Sequence, residues 1–437
     1  MFAQIHCRPG AGFGFMRLAG LLFLYGMLMS LPGLVTAADR ENTTLTLPET
    51  LARVLRNSPE LAVFPYALRA AEARTLQAGL RPNPRISVEV EDIAGSGKFS
   101  GVDAMETTLA LSQVIEMGDK RTLRRDVGRW RRQTLERDYE LVRLDTLATA
   151  ASRYLEVAQT QQLLDFASQV VEWTRTAQNV AQKRFEAGSV SRAELSRART
   201  DAMQAMLRVS KLEVQLANTR RRLASLWGET SLDFAQVESE LFSLAAIPDF
   251  ARLRAQLEQA PQLQRFLTQN RLRQAELDLA VSRGRQDIEV GAGLKHASDT
   301  GDTGMVLAFS MPLGTSDRNQ GAIRAARENK AKLDLEEEAT RVRVFTELRN
   351  AHAQLEQARQ QVTVLRNQIL PEAQQALKLI QDGYSNGRFS YLELVEARRQ
   401  LLAVKNDAVA TATDFHQTLI TLEALTGQPL TGDGQML

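Results

Sequence analysis

The stretches RFEAGSVSRAEL (184–195) and GYSNGRFSYLEL (383–394) align at an offset of 199 residues, and that alignment decides the fold. Phe185 falls on Tyr384, Gly188 on Gly387, Ser191 on Ser390, Glu194 on Glu393, Leu195 on Leu394, Ala198 on Ala397 and Arg199 on Arg398. The match resumes at Leu223 and Leu422, Leu226 and Leu425, and Gly228 and Gly427. One polypeptide therefore carries two copies of a long unit. Each stretch reads as a helix, a tight turn and a second helix. Gly188 and Gly387 supply the left-handed residue that ends a helix. Ser191 with Glu194, and Ser390 with Glu393, have the S-x-x-E spacing of a capping box, flanked by the staple pairs Val190 with Leu195 and Phe389 with Leu394.

Outward from these turns lie two very long helical segments, about 118–187 and 317–386. In the second, Leu348, Ala351, Leu355, Ala358, Val362, Leu365 and Ile369 alternate steps of three and four, the spacing of a coiled-coil seam. Tyr154, Val157, Gln161, Leu164, Ser168 and Val171 follow the same steps in the first, with two polar lapses. At 1.5 Å per residue each helix extends roughly 100 Å, which suits a rod or tube and not a compact core. Pro371 falls inside the second segment, while its counterpart is Glu172, so a kink is expected in one copy only. Shorter helices are expected at 191–227 and 390–426, and ahead of the strands at 49–79 and 262–283.

Each unit also holds an alternating segment. Ile86, Val88 and Val90 alternate with Ser87, Glu89 and Glu91, and Met105 to Gln113 returns after the Gly- and Ser-rich IAGSGKFSGVDA. Ile288, Val290, Ala292 and Leu294 alternate with Glu289, Gly291, Gly293 and Lys295; Met305 to Met311 returns after HASDTGDT. These strands of 8 to 10 residues approach the length that crosses a bilayer in a barrel. A soluble sheet packed on helices is the competing reading. Four strands close no barrel, and an open edge in lipid leaves amides unpaired, so several chains would share one.

Residues 1–38 hold no acid, two arginines (Arg8 and Arg17) and an apolar run from Leu18 to Val35 that ends in Thr36, Ala37 and Ala38. That is the layout of a secretory signal. Cys7, the single cysteine, lies within it, so the exported chain has neither disulfide nor thiol site. Without those arginines the 54 basic and 52 acidic side chains become equal in number, which is unlike a nucleic-acid-binding surface. The organisation is then a signal at 1–38, a first repeat at 39–228 (hairpin 86–113, helical hairpin 118–227) and a linker at 229–250. A second repeat follows at 251–428 (hairpin 287–312, helical hairpin 317–426), with a tail at 429–437.

Several strings, taken together and in order, resemble the TolC-like outer-membrane efflux factors and, within them, the CzcC-like heavy-metal branch. They are RPNPRISVEVED (81–92), LSQVIEMGDKR (111–121), MPLGTSDRNQGAI (311–323) and the doubled turn. The resemblance implies a mainly α fold with a small β part: a long coiled-coil helical barrel plus four transmembrane β-strands per chain, closing a 12-stranded barrel in a homotrimer. It implies an outer-membrane location, with the helical part in the periplasm. It implies partners, a periplasmic adaptor and an inner-membrane proton-driven pump, and export of divalent heavy-metal cations. Drug or organic-solute efflux stays open beside metal export, as does, less favoured, an exported coiled-coil scaffold without channel activity.

The resemblance also implies a periplasmic iris at the helical tips. By position Tyr384 matches the gate tyrosine, and Glu393 and Glu396 match two acidic ring positions. Phe389 stands where drug-efflux members carry an arginine, which puts the familiar salt-bridge lock in doubt. Glu393 has a second job as the cap partner of Ser390, whereas Glu396 has none. The adaptor-docking tips would be Gly188, Ser189, Val190 and Ser191 with Gly387, Arg388, Phe389 and Ser390. No nucleophile motif, phosphate cradle or metal-ligand spacing is present, so no catalytic residue, cofactor or resident metal is expected; His296, His352 and His416 are scattered. Met203 and Met206 form one helical pair, read as core.

Overall fold

The computed structural model describes residues 44–238 and 240–428. The signal expected at 1–38 and the tail at 429–437 lie outside the described residues. The described part starts with β1 (Thr44–Leu45), α1 (Leu47–Asn57), α2 (Pro59–Ala62) and α3 (Phe64–Ala78), and then forms the hairpin β2 (Arg85–Glu91) and β3 (Glu106–Ile115). The long α4 (Lys120–Glu186) and its return α5 (Arg192–Ala224) complete the first unit. A connection containing β4 (Gln236–Val237) leads to α6 (Phe250–Gln256), α7 (Pro261–Arg283), β5 (Ile288–Ala297) and β6 (Thr303–Ser310). The second long helix is α8 (Gln320–Val364), a π-helical turn (Leu365–Ile369) and α9 (Leu370–Ser385), with α10 (Tyr391–Thr426) as its return.

The first long helix runs 67 residues without a break, roughly 100 Å at 1.5 Å per residue. Both long helices begin at the same device: Asp119 and Asn319 take left-handed φ values of 59° and 60° just before the first helical residue. The core is not one body but a series of apolar clusters strung along the rod. The cluster nearest the sheet joins Val127 of α4 to Leu272, Ala275 and Leu279 of α7. Midway along, Leu348, Leu355, Phe415 and Leu419 pack with α6, and Tyr154, Val157 and Ala158 pack with Leu223, Phe234 and Val237.

Where a kink was expected, the helix takes a π-helical turn just ahead of Pro371, and α4 shows no counterpart at Glu172. Proline donates no amide, and a π turn accommodates the lost i−4 bond by taking in one extra residue. That residue slips the seam. Leu348, Ala351, Leu355, Ala358 and Val362 are buried as the heptad requires, but Ile369 is 42% exposed, so the seam does not continue to it. The pair Met203 and Met206 is likewise not core: both side chains are exposed on α5.

The region between the units does more than connect. β4 pairs in parallel with β1, Thr44 opposite Gln236 and Leu45 opposite Val237. Tyr154 of α4 donates its hydroxyl to the carbonyls of Leu45 and Glu238, and Gln161 exchanges two hydrogen bonds with Val237, at 3.0 and 2.8 Å. His416 bonds the Leu241 carbonyl at 3.0 Å, and burial holds its imidazole below the usual value. The result is a strap across the middle of the helices.

The four long strands form one antiparallel sheet in the order β2-β3-β5-β6. The register places Val88 opposite Leu109, Leu109 opposite Leu294 and Leu294 opposite Met305, so apolar residues share one face across all four strands. Strand β5 runs to Ala297, further than its alternation indicated, because His296 pairs with Thr303 and its Nδ1 lies 3.2 Å from the threonine hydroxyl.

Burial on this sheet is inverted. Along β5 the exposed positions are Val290, Ala292, Leu294 and His296, while Gly291, Gly293 and Lys295 are the more covered ones. Leu307 is 77% exposed and Ile86 72%. A soluble sheet packed on helices would bury that face, so the apolar side meets an apolar solvent. Among the described residues no helix is long and apolar enough to cross a membrane.

Candidate functional site

At the end of the rod remote from the sheet, the two turns form with the geometry their glycines demand. Gly188 and Gly387 have φ values of 71° and 76°. The amide of Ser189 donates to the Arg184 carbonyl at 2.8 Å, and that of Arg388 to the Gly383 carbonyl at 2.8 Å, the six-residue closure of a Schellman turn. Ser191 and Ser390 each accept from the amide of the third helical residue, Glu194 and Glu393, at 3.3 Å. Gly188, Ser189, Ser191, Gly387, Arg388 and Ser390 are exposed, and Val190 is half-buried.

The two caps then diverge. Glu393 completes its box, accepting from the Ser390 amide at 2.7 Å and the Ser390 hydroxyl at 2.8 Å. Those two bonds, the amide's first, hold its carboxyl below the usual carboxylate value. Glu194 does not close the reciprocal bond expected from its spacing. Its Oε1 instead accepts the Tyr384 hydroxyl at 3.2 Å. The buried phenol needs an acceptor more than an exposed amide does, since water satisfies the amide.

Tyr384 is 1% exposed, in a cluster with Ala181, Leu195, Ala198, Tyr391 and Leu394. Burial first, then the Glu194 carboxylate, pushes its pKa up to about 12. Arg184 lies over its ring at 5.0 Å and donates to its carbonyl at 3.2 Å. A second tie runs parallel: Tyr391 donates to Asp201 at 2.6 Å, and its phenol is also pushed upward, chiefly by burial. Arg398 is buried nearby, its Nε and Nη1 without a hydrogen-bond partner among the described residues, and burial lowers its pKa. Two tyrosines thus fasten the α9–α10 tip to the α4–α5 tip within one chain.

The residues expected around a gate do not all meet. Phe389 folds back over Gly383, so close that a Cβ there would lie 2.2 Å from the Phe389 ring, and the ring remains 38% exposed. Glu396 is exposed on α10 and has a loose ion pair with Arg399 at 3.9 Å. Glu393, Phe389 and Glu396 therefore lie on the tip surface, whereas Tyr384 lies beneath it. The acceptors Glu194 and Asp201 were missed by sequence reasoning. The only signal for them is that each stands in the first repeat, 190 residues before its tyrosine. Among the described residues no group of three His, Cys, Asp or Glu is placed to hold a metal ion.

Comparison with known proteins agrees with this architecture. The family model for outer membrane efflux proteins matches residues 50–229 and 243–428. The chain is 26% identical to the cobalt-zinc-cadmium resistance protein CzcC of Cupriavidus metallidurans over 384 residues, covering 88% of this chain and 90% of that one. It is 22% identical to the nickel-cobalt-cadmium resistance protein NccC of Alcaligenes xylosoxydans xylosoxydans, covering 69% of this chain and 67% of that one. Among solved structures, the CmeC outer membrane channel of Campylobacter jejuni superposes with a TM-score of 0.73 at 15% identity, covering 96% of this chain and 94% of that one. The membrane-facing sheet, the helical rod with its doubled tips and the match along both repeats lead to one assignment: the chain belongs to the outer membrane efflux protein family, and its place is the outer membrane.

Proposed function

We propose that this chain is the outer-membrane channel of a three-component, proton-driven efflux system, and that its cargo is divalent heavy-metal cations. The observation that carries the channel reading is the sheet whose apolar side is the exposed one, joined to a helix of 67 residues, roughly 100 Å long. Among the described residues four strands per chain leave β2 and β6 as unpaired edges, and lipid does not tolerate unpaired edges, so several chains share one barrel. Likeness to the outer membrane efflux proteins supports three chains closing 12 strands. Support for the cargo comes from the relatives, named for resistance to cobalt, zinc, cadmium and nickel.

In this reading the exposed turns at 188–191 and 387–390 dock a periplasmic adaptor, which couples the channel to an inner-membrane pump. Glu393 and Glu396 line the constriction, where threefold repetition concentrates negative potential and favours cations. Tyr384 and Tyr391 hold the closed tip from within, and Phe389 covers Gly383 where an arginine lock would otherwise stand. No metal is held on the way; it passes through.

The test is metal accumulation in a host lacking its own exporter, supplied with this chain together with the periplasmic adaptor and proton-driven pump of a heavy-metal efflux system. Cellular zinc, cobalt or cadmium should fall several-fold. Unchanged metal content with export of an organic dye would move the cargo to organic solutes.

A further inference from the structure

The polar face of the sheet carries a charge pattern independent of the tips. The register puts Arg85, Glu89 and Glu91 of β2, Glu106 of β3, and Glu289 and Lys295 of β5 on that one side. Among the described residues of the four strands these are its charged groups, four carboxylates against two cations. Toward the helices, Glu289 accepts the Ser112 hydroxyl at 2.7 Å. At the other end, beside the two hairpin connections, the pattern is stranger. Glu91 and Glu106 are direct cross-strand partners, a like-charge pairing that destabilises a sheet. Glu89 stands opposite Thr108, which stands opposite Lys295, so a third carboxylate lies at the level of the lysine.

The Lys295 ammonium lies between the two opposed carboxylates. Its Nζ pairs with Glu106 and sits 3.7 Å from Glu91, tying β2, β3 and β5 together. These side chains are only partly covered: 34% exposed for Lys295, 49% for Glu91 and 27% for Glu106. Small neighbours leave room around them, with Gly293 and Ala297 flanking Lys295 on its own strand and Gly304 opposite it. Stability alone would be served by threonine or glutamine at positions 91 and 106. The arrangement instead keeps an acidic mouth and compensates it with one cation.

We infer that Lys295 is a specificity-determining residue of the channel's outer mouth: by neutralising part of the Glu89, Glu91 and Glu106 cluster, it sets how strongly the barrel prefers cations. This rests on the reading of the sheet as one third of a transmembrane barrel whose polar face lines the lumen. Threefold repetition turns each cluster into a ring, and a charged ring in a confined lumen weights the passage of ions by sign. The ring is separate from the acidic residues at the periplasmic tip.

The test is the reversal potential of the purified full-length channel in a planar bilayer under a KCl gradient. Lys295→Met should raise the potassium-to-chloride permeability ratio several-fold, and Glu91→Gln with Glu106→Gln should bring it toward one. Lys295→Arg should leave it near the parent value. Both shifts should shrink between 0.1 and 1 M salt, as the screening length falls from about 10 Å to about 3 Å. Should the bare lysine deletion fail to assemble, Glu91→Gln, Glu106→Gln and Lys295→Met combined removes the repulsion as well, and its ratio should also lie nearer one than the parent's. Variants that conduct normally with the parent's reversal potential overturn the role of Lys295 and leave the barrel standing. A channel that conducts no ions even when its tip is loosened by Tyr384→Ala and Phe389→Ala overturns the barrel itself.

Discussion

Tyr384 is where the two repeats stop being equivalent. Its counterpart Phe185 is 37% exposed at the surface, whereas Tyr384 is buried and has taken the carboxylate that would otherwise finish the first capping box. Tyr384→Phe should therefore free Glu194 to turn back on Ser191, at a cost to the folded tip of about 1 kcal/mol for the lost hydrogen bond. Open probability should rise; an unchanged closed probability would show that the phenol has no part in holding the tip. The tie also has a pH sense. A phenol raised from 10.0 to about 12 favours the folded state while protonated, so its contribution is complete below pH 10 and is lost as the pH climbs through about 12. Amide exchange at 383–395 should accordingly stay flat from pH 7 to 9 once corrected for intrinsic rate. Glu393→Gln should disturb that exchange less than Glu393→Ala, because glutamine can still accept from Ser390. Glu396→Gln, which touches no cap, should lower cation preference without changing thermal stability; identical selectivity would place the periplasmic filter elsewhere. Much of this tip was legible in the sequence, since a C-terminal glycine and an N-cap serine act within a few residues. The partner of Glu194 was not, because it is chosen by the burial of a side chain 190 residues away.

Among the elements, the second long helix differs from the first at one turn. The π-helical segment Leu365–Ile369 ahead of Pro371 expels Ile369 from the seam, and Arg366 within it bonds the Phe242 carbonyl at 3.1 Å and lies over the Phe242 ring at 4.8 Å. The α9–α10 tip thus hangs from a joint that the α4–α5 tip lacks. Pro371→Ala restores an amide donor and should let the helix run through, returning Ile369 toward the seam. The variant should show slower amide exchange across 365–371 and a tip that opens less readily; exchange equal to the parent's would mean that the π turn is held by its packing and not by the proline. Sequence alone placed an irregularity at Pro371 but not the π turn itself, because heptad counting presumes an unbroken helix. The strap was not legible either: β1 and β4 have two residues each, too few for alternation to show, and they pair across nearly 200 positions of chain. His416 offers a test of it. Burial lowers its pKa, so the unfolded chain takes up the proton first, and the strap's stability is present above the unfolded value of 6.5 and lost as the pH falls below it. Corrected for intrinsic rate, exchange at 240–244 should quicken as the pH falls from 7 to 5, and His416→Gln should abolish that dependence.

For the whole molecule, the pattern that matters is that polar and apolar solvents meet the same chain at different heights. The rod is built for water, with its apolar clusters turned inward, while the sheet leaves its leucines on an exposed face and sets its glutamates on the opposite one. The strands and their facing were readable because alternation has a period of two and register preserves it. Which side faced solvent was not readable, because alternation is the same for a soluble sheet and for a barrel wall. Among the described residues one chain leaves the outer edges of β2 and β6 unpaired, so closing the barrel needs further chains. The direct check is the native mass of the detergent-solubilised protein, taken alongside its β-sheet circular dichroism. A stable particle of three chains is expected. A monomer that retains the full β signal in detergent would contradict the shared barrel.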